Sequence, residues 1–229
     1  MKDGCFFFLK IYFHWNSVIF VFMSINSDKS LTDLPIMEHF FTIQGEGYHT
    51  GRAAYFIRIA GCDVGCVWCD VKESWNASLH KMMTIDSLVK TVKNSTTNFC
   101  VITGGEPCMY DLTELTEKLK NAKIELAIET SGCYEFMGQI DWYCFSPKKF
   151  KAPVEQAYIL ANELKVIISH SSDFEFAEKH ALKVKSDCKL YLQVEWSKKE
   201  RFLPLLINYV KENPKWKIST QTHKIMNIP

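Results

Sequence analysis

Charge imbalance is almost absent from this sequence. Its 27 Lys and Arg residues against 26 Asp and Glu leave a formal net charge of +1, so no broad field draws the chain to nucleic acid or to an anionic lipid surface. Internal repeats and low-complexity tracts are also missing. What remains is an ordinary globular composition, 47% apolar and 23% charged. At 229 residues the chain is long enough for one domain with a real core.

An uninterrupted membrane span is missing too. The run Phe6-Phe7-Phe8-Leu9 through Val18-Ile19-Phe20-Val21-Phe22 is apolar and aromatic, but Lys10, His14, Asn16 and Ser17 split it. The pieces are too short for a bilayer core of ~30 Å, and no small-residue cleavage site follows. Translation beginning at Met23 accounts for this mismatched stretch better than a functional anchor does. Residues 24 to 36 read as a polar lead-in.

The nine cysteines lack the layout of a disulfide framework, being odd in number and irregularly spaced. Three of them, Cys62, Cys66 and Cys69, fall within eight residues, which suits a metal site in a reducing cytoplasm better than a secreted scaffold. Cys5, Cys100, Cys108, Cys133, Cys144 and Cys188 are scattered, as buried small hydrophobes are. A structural zinc site wants a fourth Cys or His in the same module. Neither His80 nor Cys100 stands at such a spacing. Three thiolates can instead hold three irons of a 4Fe–4S cubane and leave the fourth open to a ligand.

Periodicity predicts alternating strands and helices. Strands are expected at 54–59, 99–103, 123–128, 142–145, 164–168, 190–194 and 216–220, and helices at 84–93, 111–121, 173–182 and 200–211. Asp111 with Glu114 resembles a capping box. The alternation implies a parallel sheet with helical crossovers. Four polar motifs follow predicted strands: Gly104-Gly105-Glu106-Pro107, Glu129-Thr130-Ser131-Gly132, Ser146-Pro147-Lys148 and Gln221-Thr222-His223-Lys224. In parallel α/β folds the carboxyl ends of the strands share one edge, so these motifs should meet in one cleft.

The spacing Cys-x3-Cys-x2-Cys with Trp68 before the last cysteine, followed by Gly104-Gly105-Glu106-Pro107, resembles the radical S-adenosylmethionine (SAM) superfamily. Phe41-Thr42-Ile43-Gln44-Gly45-Glu46-Gly47, Phe56-Ile57-Arg58-Ile59-Ala60-Gly61-Cys62, Ser146-Pro147-Lys148 and Gln221-Thr222-His223-Lys224 narrow the likeness to the 7-carboxy-7-deazaguanine synthase family. It runs from about Leu34 to Pro229, so 34–229 is expected to be the radical SAM domain and 1–33 an extension outside the fold.

The resemblance implies an α/β fold, a shortened and partly open (β/α) barrel. It implies conversion of 6-carboxy-5,6,7,8-tetrahydropterin to 7-carboxy-7-deazaguanine with loss of ammonia, on the route to queuosine-type 7-deazapurines. It also implies a 4Fe–4S cluster on Cys62, Cys66 and Cys69, SAM, Mg2+, an external electron donor such as flavodoxin, and a cytoplasmic homodimer. SAM would lie on Gly105, Ser131, Ser146, Pro147 and Lys148. The substrate would lie on Ile43, Gln44, Gly45, Arg58, Thr103 and Pro229, with Glu46 adjacent and Arg58 on the substrate carboxylate.

One residue departs from the pattern. Val71 stands where the family commonly has a Thr or Ser hydroxyl on Mg2+, and a valine cannot ligate a hard cation. Plainer readings remain for several positions. Gly45 and Gly47 could make a turn, Arg58 could be a solvated charge, Ser146-Pro147 a loop terminator, and Pro229 a frayed end. His223 could orient the C-terminal segment as readily as touch substrate. Lys149 and Lys151 read best as surface charge. The cysteine motif by itself also fits a radical SAM activase acting on a partner protein, or a non-catalytic metal-binding scaffold.

Overall fold

The computed structural model describes residues 33–229. The readings made for residues 1–22, Met23 and Cys5 lie outside the described residues. Nine strands form one sheet: β1 (Asp33–Ile43), β2 (Ala53–Ile59), β3 (Lys81–Thr84), β4 (Phe99–Gly104), β5 (Glu125–Thr130), β6 (Trp142–Phe145), β7 (Glu163–Ile168), β8 (Lys189–Val194) and β9 (Trp216–Ser219). Six helices accompany them: α1 (Ile85–Lys93), α2 (Thr113–Asn121), α3 (Glu155–Leu160), α4 (Ser172–Ala181), α5 (Lys199–Glu212) and α6 (Thr222–Met226).

The strand order is β3-β1-β2-β4-β5-β6-β7-β8-β9. From β2 to β9 every pairing is parallel, whereas β1 runs antiparallel to both β2 and β3. The end strands β3 and β9 do not pair, so the sheet does not close, as expected of a shortened, partly open barrel. Among the described residues no helix is long and apolar enough to cross a membrane.

Period-two alternation sorts the side chains to the two faces of the sheet. Ile57, Ile59, Ile102, Leu126, Ile128, Phe145, Leu164, Val166 and Leu192 are buried in the main core, packed with Leu88, Leu115, Leu119, Ala177, Phe202 and Leu206 from the helices. Each such aliphatic side chain contributes roughly 1.5–3 kcal/mol when removed from water. The other face is apolar at the amino ends of the strands, where Ala54, Phe56, Val101 and Ala127 cluster with Phe40. Two residues further along, the same rows carry Arg58, Thr103 and Glu129, with Lys165 and Gln193 on β7 and β8. Polarity thus rises towards the carboxyl ends.

Several boundaries differ from the sequence reading. The lead-in proposed up to residue 36 is in part strand: β1 begins at Asp33 and buries Leu34 and Ile36. The polar residues of the stretch, with Pro35, which cannot donate to a ladder, give no strand signal, and β1 as a whole was not foreseen. Helix α2 starts at Thr113, and no capping box forms. Asp111 accepts a bond from the Thr113 amide at 2.9 Å, while Glu114 pairs with Lys118 at 2.8 Å. Strand β5 is shifted two residues on, because Lys123 adopts a left-handed turn, φ 63°. Strand β3 and helices α3 and α6 were not foreseen; each has six residues or fewer, too few to show a period.

Candidate active site

A cavity of about 430 Å3 opens at the carboxyl ends of the strands, within the range of small-molecule sites. Cys62, Cys66 and Cys69 line it, with Ile43, Gln44, Gly45, Arg58, Thr103, Gly105, Ser131, Ser146, Lys148 and Pro229. Of the residues singled out in the sequence for cluster, SAM and substrate, Pro147 is the one that does not line it. It stands between Ser146 and Lys148, which do.

The cysteine loop is held from both sides. Cys62 donates its amide to Trp75 at 3.1 Å, Gly61 donates to Ser74 at 2.6 Å, and the Gly61 carbonyl accepts from Glu106 at 2.8 Å. A Cβ on Gly105 would lie 2.3 Å from the Gly61 carbonyl oxygen and 3.0 Å from the Cys62 Cβ. Glycine is therefore demanded there by the cysteine loop itself, not by close approach of a ligand alone. Burial pushes the Cys66 thiol up to about 11 and raises Cys62 as well.

Glu106 is buried, and its carboxylate accepts four bonds. Oε1 takes the Cys108 amide at 3.1 Å and the Thr130 hydroxyl. Oε2 takes the Ser131 amide at 2.8 Å and the Ser131 hydroxyl. This carboxylate is consumed in joining the loop after β4 to the loop after β5, and so in fixing Ser131. Lys148 donates to the Ser146 carbonyl at 2.8 Å, and burial lowers its pKa.

The opposite wall is a network that the sequence reading largely missed. Lys165 donates to Glu46 Oε2 at 2.6 Å and stands 3.6 Å from Glu129. Gln221 donates to Glu46 Oε1 at 2.9 Å. Gln44 reaches Glu129 Oε1 at 3.0 Å, and Thr103 reaches Oε2 at 3.4 Å. Burial alone would raise the Glu46 carboxyl, but the Lys165 ammonium and its hydrogen bonds outweigh that and bring it to about 2. Burial opposes charge on Lys165, yet Glu129 and Glu46 raise its pKa well above the usual lysine value. The signal for Lys165 was available: it is a charged residue followed by the apolar run Val166-Ile167-Ile168 of β7, where only a paired charge survives.

The C-terminal segment closes this wall. Thr222 donates its amide to the Gly45 carbonyl at 3.0 Å, and Thr42 Oγ1 donates to the Pro229 carbonyl at 3.3 Å. A Cβ on Gly45 would meet His223 Nδ1 at 2.4 Å, so Gly45 is a packing site for α6. Arg58 lies opposite Glu38 in the β1–β2 register, with Nε 2.9 Å from Glu38 Oε1. Asp70 pairs with Lys224 at 3.0 Å. Lys149 and Lys151 pair with Asp173 and Asp63. Cys100, Cys108 and Cys188 sit in the main core and Cys144 is buried, whereas Cys133 packs with Val64 and Cys66.

The radical SAM superfamily model matches residues 56–136, the stretch that carries the three cysteines, Gly105 and Ser131. The chain is 57% identical over 196 residues to a protein of Flavobacterium psychrophilum named 7-carboxy-7-deazaguanine synthase, covering 86% of this chain and 93% of that one. It is 46% identical to the Synechocystis protein of the same name, covering 88% and 97%. The crystal structure of QueE from Escherichia coli superposes with a TM-score of 0.74 at 33% identity, covering 83% of this chain and 95% of that one. The chain belongs to the 7-carboxy-7-deazaguanine synthase family.

As a member of that family it is a radical SAM enzyme, for which a 4Fe–4S cluster and SAM are the implied cofactors. Matches along most of the chain set aside the activase and scaffold readings. The residues fit a cluster: three cysteines on one short loop line a single cavity wall. They do not converge as the ligands of one ion; among the described residues no group of three His, Cys, Asp or Glu does. Mg2+ fits poorly. Val71 offers no oxygen beyond its backbone, and the pocket carboxylates Glu46, Asp70, Glu106, Glu129 and Glu195 are each already bonded within the protein.

Proposed function

We propose that this protein converts 6-carboxy-5,6,7,8-tetrahydropterin to 7-carboxy-7-deazaguanine with release of ammonia, in 7-deazapurine biosynthesis of the queuosine type. The observation that carries this is the shared cavity. The loop of Cys62, Cys66 and Cys69 and the segment Ile43-Gln44-Gly45 face the same space. When bound, the reduced cluster supplies the electron that cleaves SAM and so generates the radical that abstracts hydrogen from the substrate.

The chain's own residues have separable tasks in this reading. Cys62, Cys66 and Cys69 hold the cluster. Gly105, Ser131, Ser146 and Lys148 contact SAM, with Pro147 shaping their turn, and Glu106 fixes Ser131. Ile43, Gln44, Gly45, Arg58, Thr103 and Pro229 bound the substrate. Arg58 suits the substrate carboxylate, because Glu38 holds one side of its guanidinium and leaves the terminal amino groups for the ligand. Glu129 suits the aminopyrimidine edge, whose adjacent N–H groups a carboxylate can accept together. Phe40, Phe56 and Ile167 give the cavity apolar walls that exclude water from a reactive intermediate.

The same reading takes an external low-potential donor such as flavodoxin, a homodimer and a cytoplasmic setting. The test is anaerobic reconstitution followed by incubation with SAM, dithionite and the carboxylated tetrahydropterin. Ammonia and 7-carboxy-7-deazaguanine in equal amounts are expected. SAM cleavage without either product would sink the assignment.

A further inference from the structure

The substrate's carboxylate needs a cationic partner, and the cavity offers few that are free. Lys165 is committed to Glu46 and Glu129. Lys148 is committed to Ser146 and sits 5.6 Å from the Trp68 ring, on the cluster side. Two cations remain. The terminal amino groups of Arg58 make no hydrogen bond among the described residues, since its ion pair with Glu38 runs through Nε. Lys224 spends one N–H on Asp70 Oδ2 at 3.0 Å and lies 5.4 Å from the Trp196 ring centroid, which leaves two of three donors unspent.

Both cations line the cavity, as do His223, Asp70 and Val71, and the corner of the cavity at Lys224 is that of its partner Asp70. Burial lowers the His223 pKa, Glu46 raises it, and Lys224 and Arg58 lower it further, so both charges act on the same imidazole. At this corner stands the side chain that cannot hold Mg2+, Val71, next to a carboxylate already neutralised by Lys224. A divalent ion bound here would have to displace the Lys224–Asp70 pair and would gain a single protein ligand, whereas Mg2+ demands near-octahedral oxygen coordination.

We infer that Lys224, fixed by Asp70 and Trp196, is a substrate-binding residue that clamps the substrate carboxylate together with Arg58, and that this pair stands in for a divalent cation. This rests on the carboxylated substrate proposed above. Asp70 is then a positioning residue, holding the ammonium against the cavity wall.

The test is calorimetric titration of the reconstituted, SAM-loaded enzyme with 7-carboxy-7-deazaguanine and with 7-deazaguanine, which lacks the carboxylate. Each is run in EDTA and in Mg2+. The carboxylated base is expected to bind with the same Kd, within about twofold, in both media. Lys224→Met should weaken it about tenfold or more, as loss of a charged hydrogen bond does, and leave 7-deazaguanine unchanged; Lys224→Arg should keep most of the affinity. A tenfold loss in EDTA, or a Lys224→Met effect that is equal on the two ligands or absent, would overturn the inference. Should Lys224→Met fail to fold, Asp70→Asn is read the same way: selective weakening of the carboxylated base supports the clamp, and equal or no weakening overturns it. If neither base binds the unmodified enzyme, it is the substrate assignment that fails.

Discussion

Lys165 and Glu46 meet at 2.6 Å, tying β7 to the loop that follows β1 although 119 residues separate them in sequence. Both are largely buried, with side chains 5% and 15% exposed. Breaking one side of such a pair leaves an uncompensated charge in a dry setting. Lys165→Met should therefore destabilise the fold by roughly 3–5 kcal/mol, and Glu46→Gln by less, because Gln221 still has an oxygen to bond. The double variant should recover part of the loss. Denaturant unfolding of the four proteins measures it; additive losses would mean that the two groups are not coupled.

The same pair sets an acid limit. Glu46 has a folded pKa of about 2 against an ordinary 4.5, so its contribution is fully present above pH 4.5 and is lost as pH falls towards 2. The shift corresponds to a stabilisation on the order of 3 kcal/mol. Thermal unfolding of the apoprotein between pH 5 and pH 2 should show this slope, and Glu46→Gln should flatten it.

Cys62→Ala, Cys66→Ala and Cys69→Ala should each lower bound iron and abolish SAM cleavage. Cys100→Ala and Cys188→Ala should keep the cluster and lose at most about 1–2 kcal/mol of stability. Cys133→Ala is the informative intermediate, because that side chain packs on Cys66 and its Sγ lies 3.0 Å from Ser131 Oγ. Its iron content should hold while the visible spectrum of the reconstituted cluster shifts. Iron analysis and absorption spectra distinguish the cases.

Two glycine substitutions should fail for different reasons. Gly105→Ala drives a methyl into the Gly61 carbonyl, a backbone atom that cannot swing away, so cluster content should fall. Gly45→Ala meets the His223 ring and amide, so the C-terminal segment should be displaced, with KM for the substrate rising at least tenfold while iron content is unchanged. Parallel measurement of iron and KM separates them.

The cluster side of the cavity was legible in the sequence, because its chemistry is local. Cys62, Cys66 and Cys69 lie on one loop, and Gly105 and Ser131 directly follow strands whose apolar runs are plain. The substrate side was legible only through motif likeness, and then unevenly. Gln44 and Gly45 could be named, but Lys165 and Gln193 could not, and Glu129 only as part of a motif, since the meaning of each comes from partners far along the chain. For Gly105 the structure adds a constraint that the local sequence does not display, the Gly61 carbonyl pressing on it. Strand β1 was not foreseen: residues 24 to 36 read as a polar lead-in, whereas Pro35 sits in a strand whose neighbour β3 pairs Met82 with it.

The two walls of the cavity are inherited differently along the chain. The stretch shared with the wider superfamily, 56–136, carries the three cysteines of the cluster wall, to which Ser146 and Lys148 are added from beyond it. The facing wall is assembled where the start and the end of the domain meet: Gly45 against His223, and Glu46 against Lys165 and Gln221. The two ends of the domain can therefore vary only in concert, and they do so against Arg58, Thr103 and Glu129, which the shared stretch contributes to the same wall. Grafting a foreign C-terminal segment alone would leave Gly45 and Glu46 facing partners they were never selected to meet. Chimaeras that exchange 33–52 and 163–229 together, with Arg58, Thr103 and Glu129 varied alongside them, are the natural unit for redirecting this chemistry.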